Sequence, residues 1–342
     1  MKKNIAINGF GRIGRCLAKI NDINKNFNLC LINDINPHLD NLVYLFEHDS
    51  TYGNFEGIVK FSGNEININN NKAFYYSSKK LIEIPFENHE IDILIDSSGI
   101  ESNIEDGRRL ISENKIKMMI VTHSNEATDR EIIMGVNEQE IQSEDKIFSN
   151  SICDANAIAH LMKWIDEEYG INNGSLTTLH PWLSYQNLVD GSSISASNPG
   201  VIWKDYSLGR SSIRNLIPKD TTAMKAVEKV LPKLKGKIIS FSYRVPTDIV
   251  ASSDLTLNLD QSVKYEDLKN FLIQKCELSK YVQINDESLV SLDYAKKSSS
   301  AYIDIQWLKV SENTVKIVLW YDNEWAYSNR VLDLAEQITK KS

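Results

Sequence analysis

The stretch NIAINGFGRIGR, residues 4–15, decides the fold. It opens as an apolar strand and runs into Gly9-Phe10-Gly11-Arg12-Ile13-Gly14, a GxGxxG turn, and then into a helical pattern over 12–22. Such a glycine run carries little weight alone. Between a strand and a helix it marks a dinucleotide turn. Gly9 permits the tight bend, Gly11 lets a pyrophosphate approach the backbone, and Gly14 lets helix and strand pack closely. The helix start offers free N–H groups and the positive end of its dipole. Asp34 closes a second strand (28–34), 20 residues beyond Gly14. A carboxylate there hydrogen-bonds ribose hydroxyls and repels a 2′-phosphate, which favours NAD over NADP. The plain alternative, a structural glycine turn with a surface Asp, does not account for the combination.

Outward from this unit, IDILIDSS (91–98) and KMMIVTH (117–123) are continuous apolar strands, separated by a helical segment at 103–113. That alternation indicates an α/β, Rossmann-type doubly wound parallel sheet covered on both faces. Near residue 150 the pattern changes. A helix begins at Cys153, and alternating strands follow at 175–186, 236–246, 253–260, 301–310 and 314–323, broken by a helix at 264–277. This is the signature of an α+β domain with a mostly antiparallel sheet and one wet face. The expected division is a nucleotide-binding domain at 1–152, a catalytic domain at 153–321, and a C-terminal helix at 322–342 returning to the first. The polar segment 191–203 reads as a lid or interface loop.

The net charge of −8 argues against nucleic acid or anionic membrane as partner, since both need clustered positive charge. No apolar run approaches the roughly 20 residues that span a bilayer. The basic start MKK leads straight into a strand without the apolar core of a signal peptide, so a cytoplasmic location is expected. Cys16, Cys30, Cys153 and Cys276 fit no zinc spacing and no CxxC motif, and no metal is expected. Three of them, all but Cys153, read as buried small hydrophobes. The Asn-rich run 65–74 reads only as biased composition.

Cys153 falls at a helix start, where the dipole favours a thiolate. His180 follows 27 residues later on a strand, placed to serve as base. Spacing alone favours a buried Cys and a satisfied core His. The surrounding sequence reverses that preference. INGFGRIGR (7–15), SNSICDAN (149–156), LTTLH (176–180), NLIPKDTTAMKAV (215–227), RVPT (244–247) and WYDNEWAYSNRV (320–331) together resemble the glyceraldehyde-3-phosphate dehydrogenase family over essentially the whole length. The resemblance implies Cys153 as nucleophile, forming a thiohemiacetal and then a thioester, with His180 as base. It implies Arg12, Ile13 and Asp34 on the cofactor NAD, Asn323 on its nicotinamide carboxamide, and a homotetramer in carbohydrate metabolism.

The departures cluster where that family binds phosphates. Ile152, Asp154 and Ala155 replace hydroxyl residues around the nucleophile. Thr221 remains, but Thr222 stands in place of a glycine. Leu183, Tyr185 and Ser207 stand where the substrate-phosphate subsite has other side chains, while Arg210 and Arg244 are kept. A carboxylate about 5 Å from a phosphate dianion repels it by roughly 2–6 kcal/mol at an effective dielectric near 20. Asp154 could instead be a helix-start residue pointing to solvent. The reading preferred from sequence is a dehydrogenase for a non-standard, sugar-like aldehyde whose thioester is hydrolysed to an acid, with Asp154, Thr221, Thr222 and Arg244 on the substrate side. The alternatives are an ordinary phosphorylating glyceraldehyde-3-phosphate dehydrogenase and a non-catalytic NAD-binding or regulatory member. His48, Asp49 and His160 read as structural. Trp182, Tyr185, Trp203 and Tyr206 flank the altered substrate region.

Overall fold

A computed structural model describes residues 2–195 and 201–341. The chain divides into two compact units, one of residues 1–132, 139–151 and 328–342, the other of 133–138 and 152–327.

The first unit is built on β1 (Asn4–Asn8), α1 (Arg12–Asn24), β2 (Asn28–Asn33), α2 (Leu39–Glu47), β3 (Val59–Ser62), β4 (Glu65–Ile68) and β5 (Asn71–Tyr76), then β6 (Ile91–Asp96), α3 (Asn103–Ser112), β7 (Ile116–Val121), β8 (Arg130–Glu131) and β9 (Ile147–Ser149). Its nine-stranded sheet runs β3-β4-β5-β2-β1-β6-β7-β9-β8. From β5 to β8 every pairing is parallel. The parallel strands are apolar runs because both faces are covered: all six residues of β6 are buried. Ala6, Leu31, Leu94, Met119, Val121 and Ile147 share one core cluster.

The strands of one sheet edge are absent from the sequence reading. The Asn-rich run dismissed as composition contains β4 and most of β5, which with β3 form an antiparallel edge. In β4 the residues Glu65–Ile68 alternate half-buried and buried, the period of a strand with one covered face. Asparagine's preference for turns hides that period.

The second unit carries α4 (Cys153–Tyr169), β10 (Ile171–Pro181), β11 (Ile217–Lys219), α5 (Ala223–Val230), β12 (Ile238–Val245), β13 (Ala251–Leu259), α6 (Tyr265–Glu277), β14 (Val282–Asn285), β15 (Ala301–Ser311) and β16 (Thr314–Tyr321), and α7 (Trp325–Lys341) starts in it. The seven-stranded sheet runs β11-β12-β10-β13-β16-β15-β14, antiparallel except at β10–β12 and β14–β15. Helix α4 is buried from Asp154 to Met162, and Ile158, Leu161 and Ile165 share a core cluster with Leu255, Ile317 and Leu319 of the sheet.

Strand β10 ends at Pro181 rather than continuing to 186. Proline has no N–H to extend the ladder, and Leu183 instead donates its N–H to the Gln186 side chain at 3.0 Å. The exposed face of the sheet carries Ile239 and Phe241, large hydrophobics in solvent, with Phe241 in register with polar Thr177 and Thr177 with Asp254. The start and end of the 191–203 segment pair with each other through Ser195 N–H to Val201 O and Trp203 N–H to Ser193 O, and residues 196–200 lie outside the described part. Cys16 and Cys276 are buried as expected, but Cys30 is only half-buried and its sulfur lies 3.2 Å from the Asn28 amide nitrogen. No helix among the described residues is long and apolar enough to cross a membrane.

Candidate active site

In the first unit the turn after β1 has the backbone a dinucleotide needs. Gly9 sits at φ 85°, in the left-handed region, and a Cβ there would lie 2.7 Å from Ser98 N. A Cβ on Gly14 would meet Gly9 O at 2.1 Å, so helix and turn touch backbone to backbone. Nothing lies within 4 Å of the Cβ position at Gly11, which leaves room for a ligand's approach. Helix α1 has no side-chain cap and no acidic residue in its first turn, so its first N–H groups face outward with the dipole unopposed.

Asp34 braces this turn. Its Oδ2 accepts from Phe10 N–H at 2.7 Å and its Oδ1 from Asn36 N–H at 2.9 Å. Arg12 donates to Asp49 at 2.8 Å and lies over the Tyr52 ring, and Ile13 is half-buried beside it. Asp49 also takes Lys19 at 3.2 Å. Burial opposes its charge, yet the Arg12 hydrogen bond and the two cations hold its carboxyl down at about 2. These residues fit the pyrophosphate and ribose of NAD.

In the second unit three reactive groups converge. Cys153 opens α4, so its sulfur stands at a helix N-terminus. His180 lies near the end of β10 on the buried face with Leu176 and Thr178. Sγ is 3.5 Å from His180 Nε2. The ring's Nδ1 lies 2.8 Å from Pro181 O, an acceptor only, so the neutral ring carries its proton on Nδ1 and turns an Nε2 lone pair to the sulfur.

Asp154 does not point to solvent. It is buried, 6% exposed, with Oδ1 3.6 Å from Sγ and 3.9 Å from His180 Nε2. Tyr321 on β16 donates its hydroxyl to Oδ1 at 2.7 Å, and Ser253 lies 3.3 Å behind that hydroxyl. Arg244 is His180's register partner on β12, so the two project from the same face of the sheet. Its Nη2 donates to Tyr185 Oη at 3.3 Å, while its buried Nε has no partner among the described residues.

The electrostatics overturn one expectation. Burial, reinforced by the Asp154 charge, pushes the Cys153 thiol well up, against the pull of Arg244. The dipole at the start of α4 does not make a resting thiolate. Burial and then Arg244 bring His180 down to about 4, against Asp154. The pair is therefore a neutral thiol beside a neutral imidazole, poised for proton transfer rather than stored as ions.

The remaining candidates are scattered. Thr221 Oγ1 accepts from Ala223 N–H at 3.1 Å ahead of α5, where Thr222 is the cap residue. Arg210 is on the surface, paired with Asp190 at 2.8 Å. Asp205 caps the short turn at Tyr206–Gly209, accepting from Ser207 N–H at 3.2 Å and from Ser207 Oγ–H at 2.6 Å. Tyr185 packs edge-on against Trp203 with centroids 5.0 Å apart, whereas Tyr206 is 81% exposed. Asn323 is buried, with its Oδ1 unpartnered among the described residues. His160 is structural, its Nε2 2.8 Å from Met134 O. Sequence reasoning missed Tyr321 and Lys219. Burial, with Arg244 beyond it, lowers the Lys219 ammonium, while Asp154 acts on it in the opposite sense, so Lys219 belongs to the same charged neighbourhood. Both residues lie inside stretches that matched by pattern, and nothing in either stretch gives the partner's position in space.

Comparison with known proteins agrees with the two units. The family described as glyceraldehyde 3-phosphate dehydrogenase, NAD binding domain, matches residues 3–104, and the corresponding C-terminal domain matches residues 152–323. A glyceraldehyde-3-phosphate dehydrogenase of Ogataea parapolymorpha is 37% identical over 345 residues, covering 100% of both chains. Glyceraldehyde-3-phosphate dehydrogenase 2 of Saccharomyces cerevisiae is 36% identical, covering 98% of this chain and 99% of its own. A chloroplastic relative from Arabidopsis thaliana is 36% identical over 98% of this chain and 78% of its own.

Proposed function

The chain belongs to the glyceraldehyde-3-phosphate dehydrogenase family and is an NAD-dependent oxidoreductase acting on an aldehyde; from that premise we propose that it oxidises a polar, sugar-like aldehyde through a thioester on Cys153 and releases the product as a free acid. The observation that carries this reading is the buried Asp154 carboxylate, 3.6 Å from the nucleophilic sulfur. A carboxylate that close to the sulfur opposes the charge of a phosphate dianion attacking the thioester. It also supplies an acceptor for a proton of water.

In the proposed sequence Sγ adds to the aldehyde carbon as its proton passes to His180 Nε2, and the imidazolium returns that proton to the carbonyl oxygen. His180 then takes the hydroxyl proton as the thioester forms. Bound NAD supplies the hydride acceptor. Gly9, Gly11, Arg12, Ile13, Gly14 and Asp34 hold it, and the unpartnered Asn323 Oδ1 suits its carboxamide N–H. Arg244 and Lys219 take the polar or anionic end of the substrate. Once His180 has released the hydroxyl proton to solvent, water, losing its proton to Asp154 or His180, attacks the thioester carbon, and the departing sulfur takes up that water proton.

The test is NADH formation from polar aldehydes with and without inorganic phosphate. Turnover that persists without phosphate and yields an acid is expected. Strict phosphate dependence with glyceraldehyde 3-phosphate would install the second reading, phosphorylating oxidation, which the name shared by the relatives favours. The proposal includes a homotetramer in the cytoplasm. Ile239 and Phe241 are exposed on one face of β12, a surface that suits a second copy of the chain, and sedimentation velocity would measure the assembly.

A further inference from the structure

The same three side chains have a chemistry that aldehyde oxidation does not use. Cys153 Sγ, Asp154 Oδ1 and His180 Nε2 offer one soft and two harder ligand atoms, all within 4.8 Å of one another. Their separations are 3.5 Å (sulfur to nitrogen), 3.6 Å (sulfur to oxygen) and 3.9 Å (nitrogen to oxygen). Ligands of tetrahedral zinc, with sulfur at about 2.3 Å and nitrogen or oxygen at about 2.0–2.2 Å, stand about 3.3–3.6 Å apart. The two edges at sulfur already match, and the third needs to close by roughly half an ångström.

The outer contacts match as well. A zinc-ligating histidine donates its other N–H to a carbonyl or carboxylate, and a ligating carboxylate is itself hydrogen-bonded. Here His180 Nδ1 faces Pro181 O and Asp154 Oδ1 accepts from Tyr321. We propose that Cys153, Asp154 and His180 form a binding site for a thiophilic divalent cation, Zn²⁺, with water as fourth ligand, and that its occupation reversibly blocks nucleophile and base together.

When the ion binds, the Sγ–H proton leaves to solvent as the zinc–sulfur bond forms, and nothing is oxidised or reduced. The thiolate and the carboxylate balance the ion's two charges, against the opposing charge of Arg244. The sulfur and imidazole ligands select against Mg²⁺ and Ca²⁺. The site binds its ion without aldehyde or NAD, so it stands or falls separately from the hydrolytic reading. A phosphate-dependent enzyme would still contain it.

The experiment uses the full chain, reduced and metal-free, without NAD or aldehyde. Zn²⁺ is titrated against a fluorescent zinc indicator, and Co²⁺ is followed by its thiolate-to-cobalt charge-transfer band. Each variant is first checked for fold by circular dichroism and for NAD binding. The expected result is stoichiometric Zn²⁺ in the parent, no cobalt band in Cys153→Ser, and binding weaker by about tenfold or more in Asp154→Asn and Asp154→Thr. The second Asp154 variant restores the hydroxyl of the family pattern and keeps the test alive if the first misfolds. A parent without stoichiometric binding, a cobalt band that survives in Cys153→Ser, or a weakening of less than about tenfold in the folded Asp154 variants overturns the site.

Discussion

Two helices in this protein start in the same way and come to opposite electrostatic ends. α1 begins after Gly11 and α4 after Ile152, and neither has a side-chain cap on its first N–H groups. The first turn of α1 has no acidic residue, so its dipole faces outward for the phosphates of a dinucleotide. The first turn of α4 holds Asp154, folded inward onto Tyr321 and facing Cys153. The carboxylate answers the positive end of α4 from within and leaves less of it for an incoming anion or a resting thiolate. A helix N-terminus is therefore an anion site only when its own first turn does not already supply the anion.

Removing the sulfur is the strongest way to break the comparison. Cys153→Ser is expected to lower kcat by about 10⁴-fold, while NADH fluorescence titration shows cofactor binding unchanged. On the α1 side, Gly14→Ala drives a methyl into Gly9 O and is expected to cost about 1–3 kcal/mol in denaturant unfolding and to weaken NAD binding.

A sharper distinction comes from Asp154→Asn. Losing the charge that raises the thiol should move the rising limb of the kcat/KM–pH profile, where the thiol ionises, to lower pH and speed acylation about tenfold at neutral pH for each unit moved. If Asp154 also activates water, the same variant shows a burst of NADH followed by slow turnover in stopped flow. An unmoved limb would remove Asp154 from the electrostatics of the sulfur.

The smallest effect tests the brace beside α1. Asp49 is held at about 2, below its ordinary value of 3.8, so its pairing with Arg12 and Lys19 stabilises the fold above about pH 4 and is lost as pH falls toward 2. Asp49→Asn should cost about 1 kcal/mol near neutrality, and the difference from the parent should vanish in acid, measured by urea unfolding across pH.

The legibility of the two regions follows the same divide. The turn at Gly9–Gly14 could be read because its function lies in backbone conformation, and glycine spacing is the direct record of where a Cβ is forbidden. The continuous apolar runs of β6 and β7, and the change to one-faced strands beyond residue 153, were legible for a similar reason: burial on two faces or one writes itself into the pattern of apolar residues. β4 and β5 were missed because asparagine obscured that periodicity. Cys153 and His180 were found by pattern, but their state was misjudged, since a helix start suggests a thiolate and the charge beside it depends on which way one side chain turns.

The sequence by itself determined the nucleotide turn and the succession of parallel and antiparallel sheets, because each is set by local stereochemistry or by the periodicity of burial along the chain. Only the tertiary structure decided that Asp154 points inward, that Tyr321, 167 residues away, holds it there, and that Arg244 lies beside His180 across two strands. Those facts depend on which strands pair and how a helix rolls on a sheet. Charges so close in a dry interior act through distances that no spacing in the sequence encodes.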